Sequence, residues 1–259
     1  MGYWEDRQAQ AQANISKKHI KDIEKQLNKY YSSAMTKIIG QFEKTYYKVF
    51  SRIEEGKEAT PADLYKLDSY WKLQGEMRAE LERLGNRQAV LFSKEFEKQW
   101  YDIYSAVSLP SNPAYTSLST GSVQQMLNQI WTADGKSWSS RIWDNTETLM
   151  EELNNELIHC VASGKKTTDL KNLLQDRFNV SYSKADALVR TEIANIQTQA
   201  SLQRYKDSGI TEVEIWADED ERRCDICGKL HEKRYPIGAH IPIPAHPRCR
   251  CCVVPVVEV

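Results

Sequence analysis

Two pairs of metal-ligating side chains stand near the end of the sequence, Cys224-Asp225-Ile226-Cys227 and His246-Pro247-Arg248-Cys249, with 18 residues between them. Cys-x-x-Cys lets two thiolates on one tight turn approach a single ion. A second pair on a distant turn completes a tetrahedron, with Zn–S about 2.3 Å and Zn–N about 2.0 Å. Gly228, directly after Cys227, suits a turn that points backbone amides at sulfur. The first-choice ligands are Cys224, Cys227, His246 and Cys249. Cys251 is the alternative fourth ligand, because residues i and i+2 of a strand share a face. Cys252 faces the other way and reads as a packed thiol. Four protein ligands leave no open position, so the expected cofactor is a structural Zn2+ that folds a module too small to bury an adequate core alone.

Other chemistry is poorly represented, and no catalytic residue is expected. A zinc deaminase needs His-x-Glu ahead of Pro-Cys-x-x-Cys, and here the order is reversed. HExxH, GxxxxGK[ST] and GxSxG do not occur. His231 and His240, between the ligand pairs, read as solvated loop histidines. As ligands or bases they would support an alternative, a zinc-stapled nuclease of the HNH type using the acids Asp218 to Glu221 for a hydrolytic metal. A second alternative is a DNA-binding adaptor, since Arg222, Arg223, Lys229, Lys233, Arg234, Arg248 and Arg250 make the segment locally basic. Arg190-Thr191-Glu192 reads either as solvated helix surface or as a buried Arg–Glu arrangement that holds the metal module against a helical body.

The elements that must position these residues are mostly helices. Ile20, Ile23, Leu27, Tyr31, Ile38, Phe42, Tyr46, Val49 and Ile53 recur at helical spacing, predicting one long helix over about 14–55. Thr60-Pro61-Ala62-Asp63 is a helix start, with a cap, proline in the first turn and an acid three residues on. Gly85-Asn86 either ends this second helix or is tolerated within it, and the periodicity resumes from Ala89 to Tyr104. Leu109 to Ser122, with two prolines in five residues and then a Ser/Thr-rich stretch, reads as a linker. Helices resume from Val123. Ser183 to Asp186 reads as a capping box, and Gly209 as a helix stop. Thr211 to Ala217 alternates as a half-buried strand does, and Val253 to Val257 reads as a closing edge strand marked by Pro255. The expected fold is therefore mainly α. It comprises a long helical hairpin (1–108), a linker (109–122), a central helical domain (123–209) and a small zinc-stapled β module (210–259).

Composition agrees with such a chain. It has 259 residues, 41% hydrophobic and 27% charged, with a net charge of −1, which argues against a polybasic coat on DNA or membrane. Five of six cysteines stand at or beyond position 224, which excludes a disulfide framework for the whole fold. No signal peptide, myristoylation pattern or membrane-spanning stretch is readable. The expectation is synthesis in a reducing cytoplasm, where clustered cysteines favour metal over disulfides.

Arg190-Thr191-Glu192, Tyr205, Ser208-Gly209-Ile210, Trp216, Asp220, Cys224-x-x-Cys227, Leu230, His246-Pro-x-Cys249-Arg-Cys251 and the valine-rich end together resemble the C-terminal domain of the Mu F-like head morphogenesis proteins of tailed bacteriophages and prophages. Ser137 to Trp143 is also similar, and the resemblance spans roughly 120–257. It implies a non-enzymatic, low-copy minor head (capsid) protein of the virion. Such a protein acts in head morphogenesis and in DNA packaging or ejection, in the procapsid interior near the portal vertex and in host cytoplasm during assembly. The implied partners are the portal protein, the major capsid protein and viral DNA, with no membrane. Some relatives carry toxin or enzyme extensions, and the end at Val259 leads to the expectation of none here.

Overall fold

The computed structural model describes residues 3–51, 60–107, 119–217 and 223–257, with side chains from residue 6 onward. Among the described residues, six helices precede a small sheet: α1 (Tyr3–Phe50), α2 (Pro61–Tyr65), α3 (Asp68–Ala106), α4 (Thr120–Leu127), α5 (Trp138–Ala162) and α6 (Thr167–Asp207). Then follow β1 (Glu212–Trp216), the short helix α7 (Asp225–Leu230), β2 (Arg234–Pro236) and β3 (Cys252–Pro255). The mainly α architecture with a terminal β element is as the sequence indicates. Among the described residues no helix is long and apolar enough to cross a membrane.

The chain folds as two compact units, each drawn from separated segments. One comprises 1–24, 91–138 and 186–259, and the other 25–90 and 139–185. In the second unit, Leu27, Ile38, Phe42, Met77, Leu81, Leu153 and Leu174 are fully or almost fully buried. Polar ties cross between its segments: Tyr31 Oη to Ser181, Tyr70 Oη to Asn154 and Arg177 to Glu156. Gly85 lies inside α3 and does not end it. A Cβ there would meet the Trp143 ring at 2.7 Å, so glycine admits the indole against the helix backbone.

The first unit contains the sheet, ordered β2-β1-β3 with both pairings antiparallel. β1 buries Val213 and Ile215, as its alternation requires. β3 lies at the edge, with Pro255 opposite Val213. Gly209, at φ +77°, stops α6: Ile210 N–H donates to Tyr205 O and Gly209 N–H to Lys206 O, a left-handed cap that glycine adopts at little cost.

Three expectations need revision. First, α1 begins at Tyr3, about eleven residues before the apolar stripe suggests. Its inward face continues through buried polar residues, Gln8, Gln12, Ser16 and His19, at the same spacing as Ile23, Leu27 and Tyr31. Gln12, Ser16 and His19 are satisfied internally. Gln12 Nε2 donates to Tyr205 Oη (3.2 Å) and Val253 O (3.1 Å), and Gln12 Oε1 accepts from Ser201 (3.0 Å). Ser16 donates to Gln197, and His19 sets one ring nitrogen against Glu95 (3.3 Å) and the other against Asp102 (2.9 Å). The helix's other expected end, near residue 55, lies outside the described residues. Second, Ser183 caps nothing, because α6 runs unbroken from Thr167. The Asp186 carboxylate turns to Arg190 and Arg248 instead of back to the chain. Third, the Thr60 cap forms as expected, its N–H and hydroxyl both donating to Asp63, but it opens only the five-residue α2, and α3 starts afresh at Asp68. Of the linker, 109–118 lie outside the described residues; Ser119 already caps α4, its Oγ accepting from Ser122 N–H.

Two substitutions test this packing. Gly85→Ala should destabilise by about 1–3 kcal/mol through overpacking against Trp143. Gln12→Ala should cost about 1–3 kcal/mol by stripping partners from buried polar groups. Urea denaturation with an unchanged m-value checks both; a midpoint equal to wild type would refute the corresponding contact.

Candidate metal centre

Two turns bring the soft donors together. Cys224 is the N-cap of α7, and its Sγ accepts from Cys227 N–H at 3.4 Å. The first turn of that helix therefore presents its amides to sulfur, a favourable site for a thiolate. Gly228 lies within α7 without a positive φ, and a Cβ there would approach nothing closer than Arg223 Nε at 3.9 Å. The helix turn, rather than glycine's freedom, points the amides. On the second turn, Cys249 N–H donates to His246 O at 3.1 Å and Arg248 sits at φ +62°. That is a left-handed conformation with a Cβ, which costs of order 1–3 kcal/mol unless neighbours hold it.

The neighbours are on α6. Arg248 N–H donates to Thr191 Oγ1 (3.1 Å), and the Arg248 guanidinium pairs with Asp186 (3.0 Å). Asp186 also receives Arg190 Nε (3.1 Å), whose Nη2 bonds Glu24. Burial pushes the Glu24 carboxyl up, against the pull of Arg190. Glu192 is buried and accepts from Trp131 Nε1 at 3.0 Å. Arg190, Thr191 and Glu192 thus do not pair with one another. Thr191 secures the second turn directly, Arg190 acts through Asp186, and Glu192 ties α6 to the segment after α4. The sequence pointed to this triplet but assigned Asp186 to a cap; its i, i+4 spacing from Arg190 was the signal for the side-chain pairing.

At the centre, His246 Nε2 lies 3.3 Å from Cys224 Sγ and 3.1 Å from Cys227 Sγ, and Cys227 Sγ lies 3.8 Å from Cys249 Sγ. Donor atoms on one tetrahedral zinc are separated by about 3.5–3.8 Å, as its bond lengths require. His246 Nδ1 faces Pro247 O at 2.8 Å. That contact places the proton on Nδ1 and leaves the Nε2 lone pair toward the sulfurs, the outer-shell arrangement of metal-bound histidine. Cys224, Cys227 and His246 form one group, with all donor atoms within 4.8 Å of one another. Cys227, Cys249 and Cys251 form a second. Cys252, on β3, belongs to neither. The donor set and its spacing fit a metal ion.

The electrostatics of the cluster favours a cation at its centre. The Cys224 thiol is held below its ordinary value, first by the Cys227 N–H. Burial pushes Cys227 up to about 12. Cys249 is drawn down to about 5, first by a hydrogen bond from Cys251, whose own thiol is pushed up as the donor in that pair. His246 is raised, first by Pro247 O. Crowded sulfurs cannot all ionise alone, whereas a divalent ion among them reverses that penalty.

The remaining candidates fall away from this centre. His231 Nδ1 accepts Ala217 N–H at 3.2 Å and its ring packs edge-on against Trp216 at 5.1 Å, so it braces the end of β1. His240 is exposed. Asp218 to Arg222 lie outside the described residues. Arg234 pairs with Glu214, and Arg248 with Asp186, so two cations of the basic set are already engaged.

Residues 151–254 match the family model described as Phage Mu protein F like protein. The matched span takes in α6, the sheet and both ligand turns, and it bears out the resemblance carried by the cysteine module. No curated protein matches significantly, and neither does any solved structure.

Thr191→Val should weaken metal binding about 10–100-fold, the usual effect of losing an outer-shell support, with the helical circular dichroism retained. Competition with a chromophoric chelator measures this, and unchanged affinity would remove Thr191 from the support of the second turn.

Proposed function

We propose that this chain, with its Mu F-like domain over residues 151–254, is a non-enzymatic minor head protein of a tailed bacteriophage or prophage. It acts in head morphogenesis and in DNA packaging or ejection. Its place is the procapsid interior beside the portal vertex, and its partners are the portal and major capsid proteins. The family match carries the reading, since it coincides with the segment that holds the metal centre.

Within that role the metal is a structural Zn2+ held by Cys224, Cys227, His246 and Cys249. Three sulfurs and one imidazole nitrogen are the donors of a closed zinc site, and a closed site offers substrate no coordination position. The ion would tie the α7 turn to the turn before β3. β3 in turn is joined to α1 and α6 through Val253 O, which accepts from Gln12 and Tyr205. Zinc here sets the shape of a docking module. Of the two candidate bases for the nuclease alternative, His231 accepts Ala217 N–H at Nδ1 and packs on Trp216, while His240 is exposed and away from the sulfur cluster.

Heads purified from the phage that encodes this chain should contain it at far lower copy number than the major capsid protein, and cross-linking mass spectrometry should join it to the portal. Finding it only in the soluble lysate, or cross-linked to tail proteins alone, would contradict the assignment.

A further inference from the structure

The donor atoms of the two turns do not gather into a single quartet. They form two triads, Cys224–Cys227–His246 and Cys227–Cys249–Cys251, and Cys227 belongs to both. A four-coordinate ion seated on the first triad needs one more ligand, and two cysteines compete for that place. Cys249 Sγ is already 3.8 Å from Cys227 Sγ. Cys251 Sγ is within 4.8 Å of both Cys227 and Cys249. Sulfurs on one tetrahedral zinc stand about 3.8 Å apart, so a shift of at most about 1 Å gives Cys251 the same relation to Cys227.

Both thiols are equally sheltered, each 3% exposed, so water favours neither. They flank Arg250 in a segment that belongs to no strand, since β3 begins at Cys252. A small displacement there breaks no ladder hydrogen bond. The leftover thiol has a place to rest, because the structure already packs it against the other two sulfurs.

Resting on the metal reading above, we propose that Cys249 and Cys251 are interchangeable fourth ligands of one ion, so that the loaded site always keeps one unligated thiol buried beside the metal. Cys227, common to both triads, cannot be replaced in this way. The spare thiol also supplies an associative route for ligand exchange: its sulfur bonds the metal as its proton passes to the departing thiolate, which leaves as the new thiol.

The test uses the full chain, reduced and loaded with zinc, as wild type and as the variants Cys227→Ser, Cys249→Ser, Cys251→Ser and Cys249→Ser/Cys251→Ser. Native mass spectrometry gives the stoichiometry and chelator competition the affinity. Cys249→Ser and Cys251→Ser should each hold one zinc with affinity within about tenfold of wild type, whereas the double variant and Cys227→Ser should lose it. Loss of zinc in only one single variant would overturn the proposal by fixing the other cysteine as spectator, and retention in the double variant would overturn it by removing cysteine from the fourth place. Wild type that binds no zinc would instead refute the underlying metal reading. A measurement on wild type alone guards against misfolded variants: NMR of the cadmium-loaded protein should show metal coupling, or exchange broadening, at both Cys249 and Cys251, and static coupling to one of them would overturn the proposal.

Discussion

The crowding of sulfur around Cys227 is the constraint on which the C-terminal half depends. Its Sγ lies 3.1 Å from an imidazole nitrogen and 3.8 Å from a second sulfur, in a buried setting. Buried thiols at such spacing cannot all ionise alone, because burial and mutual repulsion oppose it, and Cys227 is pushed up where Cys249 is drawn down. A cation at their centre would turn the same crowding into a source of stability for a three-stranded sheet with very short strands. Everything around the cluster serves to hold that geometry. The first turn of α7 aims an amide at Cys224, Pro247 O fixes the His246 tautomer, and Thr191 with Asp186 holds Arg248 in its left-handed turn.

From there the organisation extends into the helices of the same unit. The segment that carries Cys249 and Cys251 leads into β3, whose Val253 carbonyl accepts from Gln12 of α1 and Tyr205 of α6. Burial pushes the Tyr205 phenol up, which keeps it neutral and a donor. The polar layer of Gln12, Ser16, Gln99 and Gln197 fixes the register of α1 on α6 more specifically than an apolar seam would, because a one-residue slip would orphan several buried groups. This joins the first helix and the last strand in one unit.

Much of this was legible before the structure. Thiols at x-x spacing and a His-Pro-x-Cys turn announce a site by chemistry alone, and strand alternation at Val213 and Ile215 announces which face is buried. What escaped has a common cause. Gln12, Ser16 and His19 line an inward face yet carry no apolar signal, because their burial is licensed by partners at least 76 residues away in sequence. Ser183 to Asp186 has the letters of a capping box, but a helix start needs an interruption before it, and the continuing burial of Phe178, Ser181 and Ala185 supplies none. Gly85 shows the same limit from the other side: only the neighbouring Trp143 explains why glycine stands within a long helix.

The metal centre is the claim from which the rest follows, and zinc-edge X-ray absorption on the purified full chain tests it most directly. The account predicts one zinc per chain in a four-coordinate shell of three sulfurs at about 2.3 Å and one nitrogen at about 2.0 Å. A shell dominated by oxygen, or a purified protein carrying well under one zinc per chain, would contradict it.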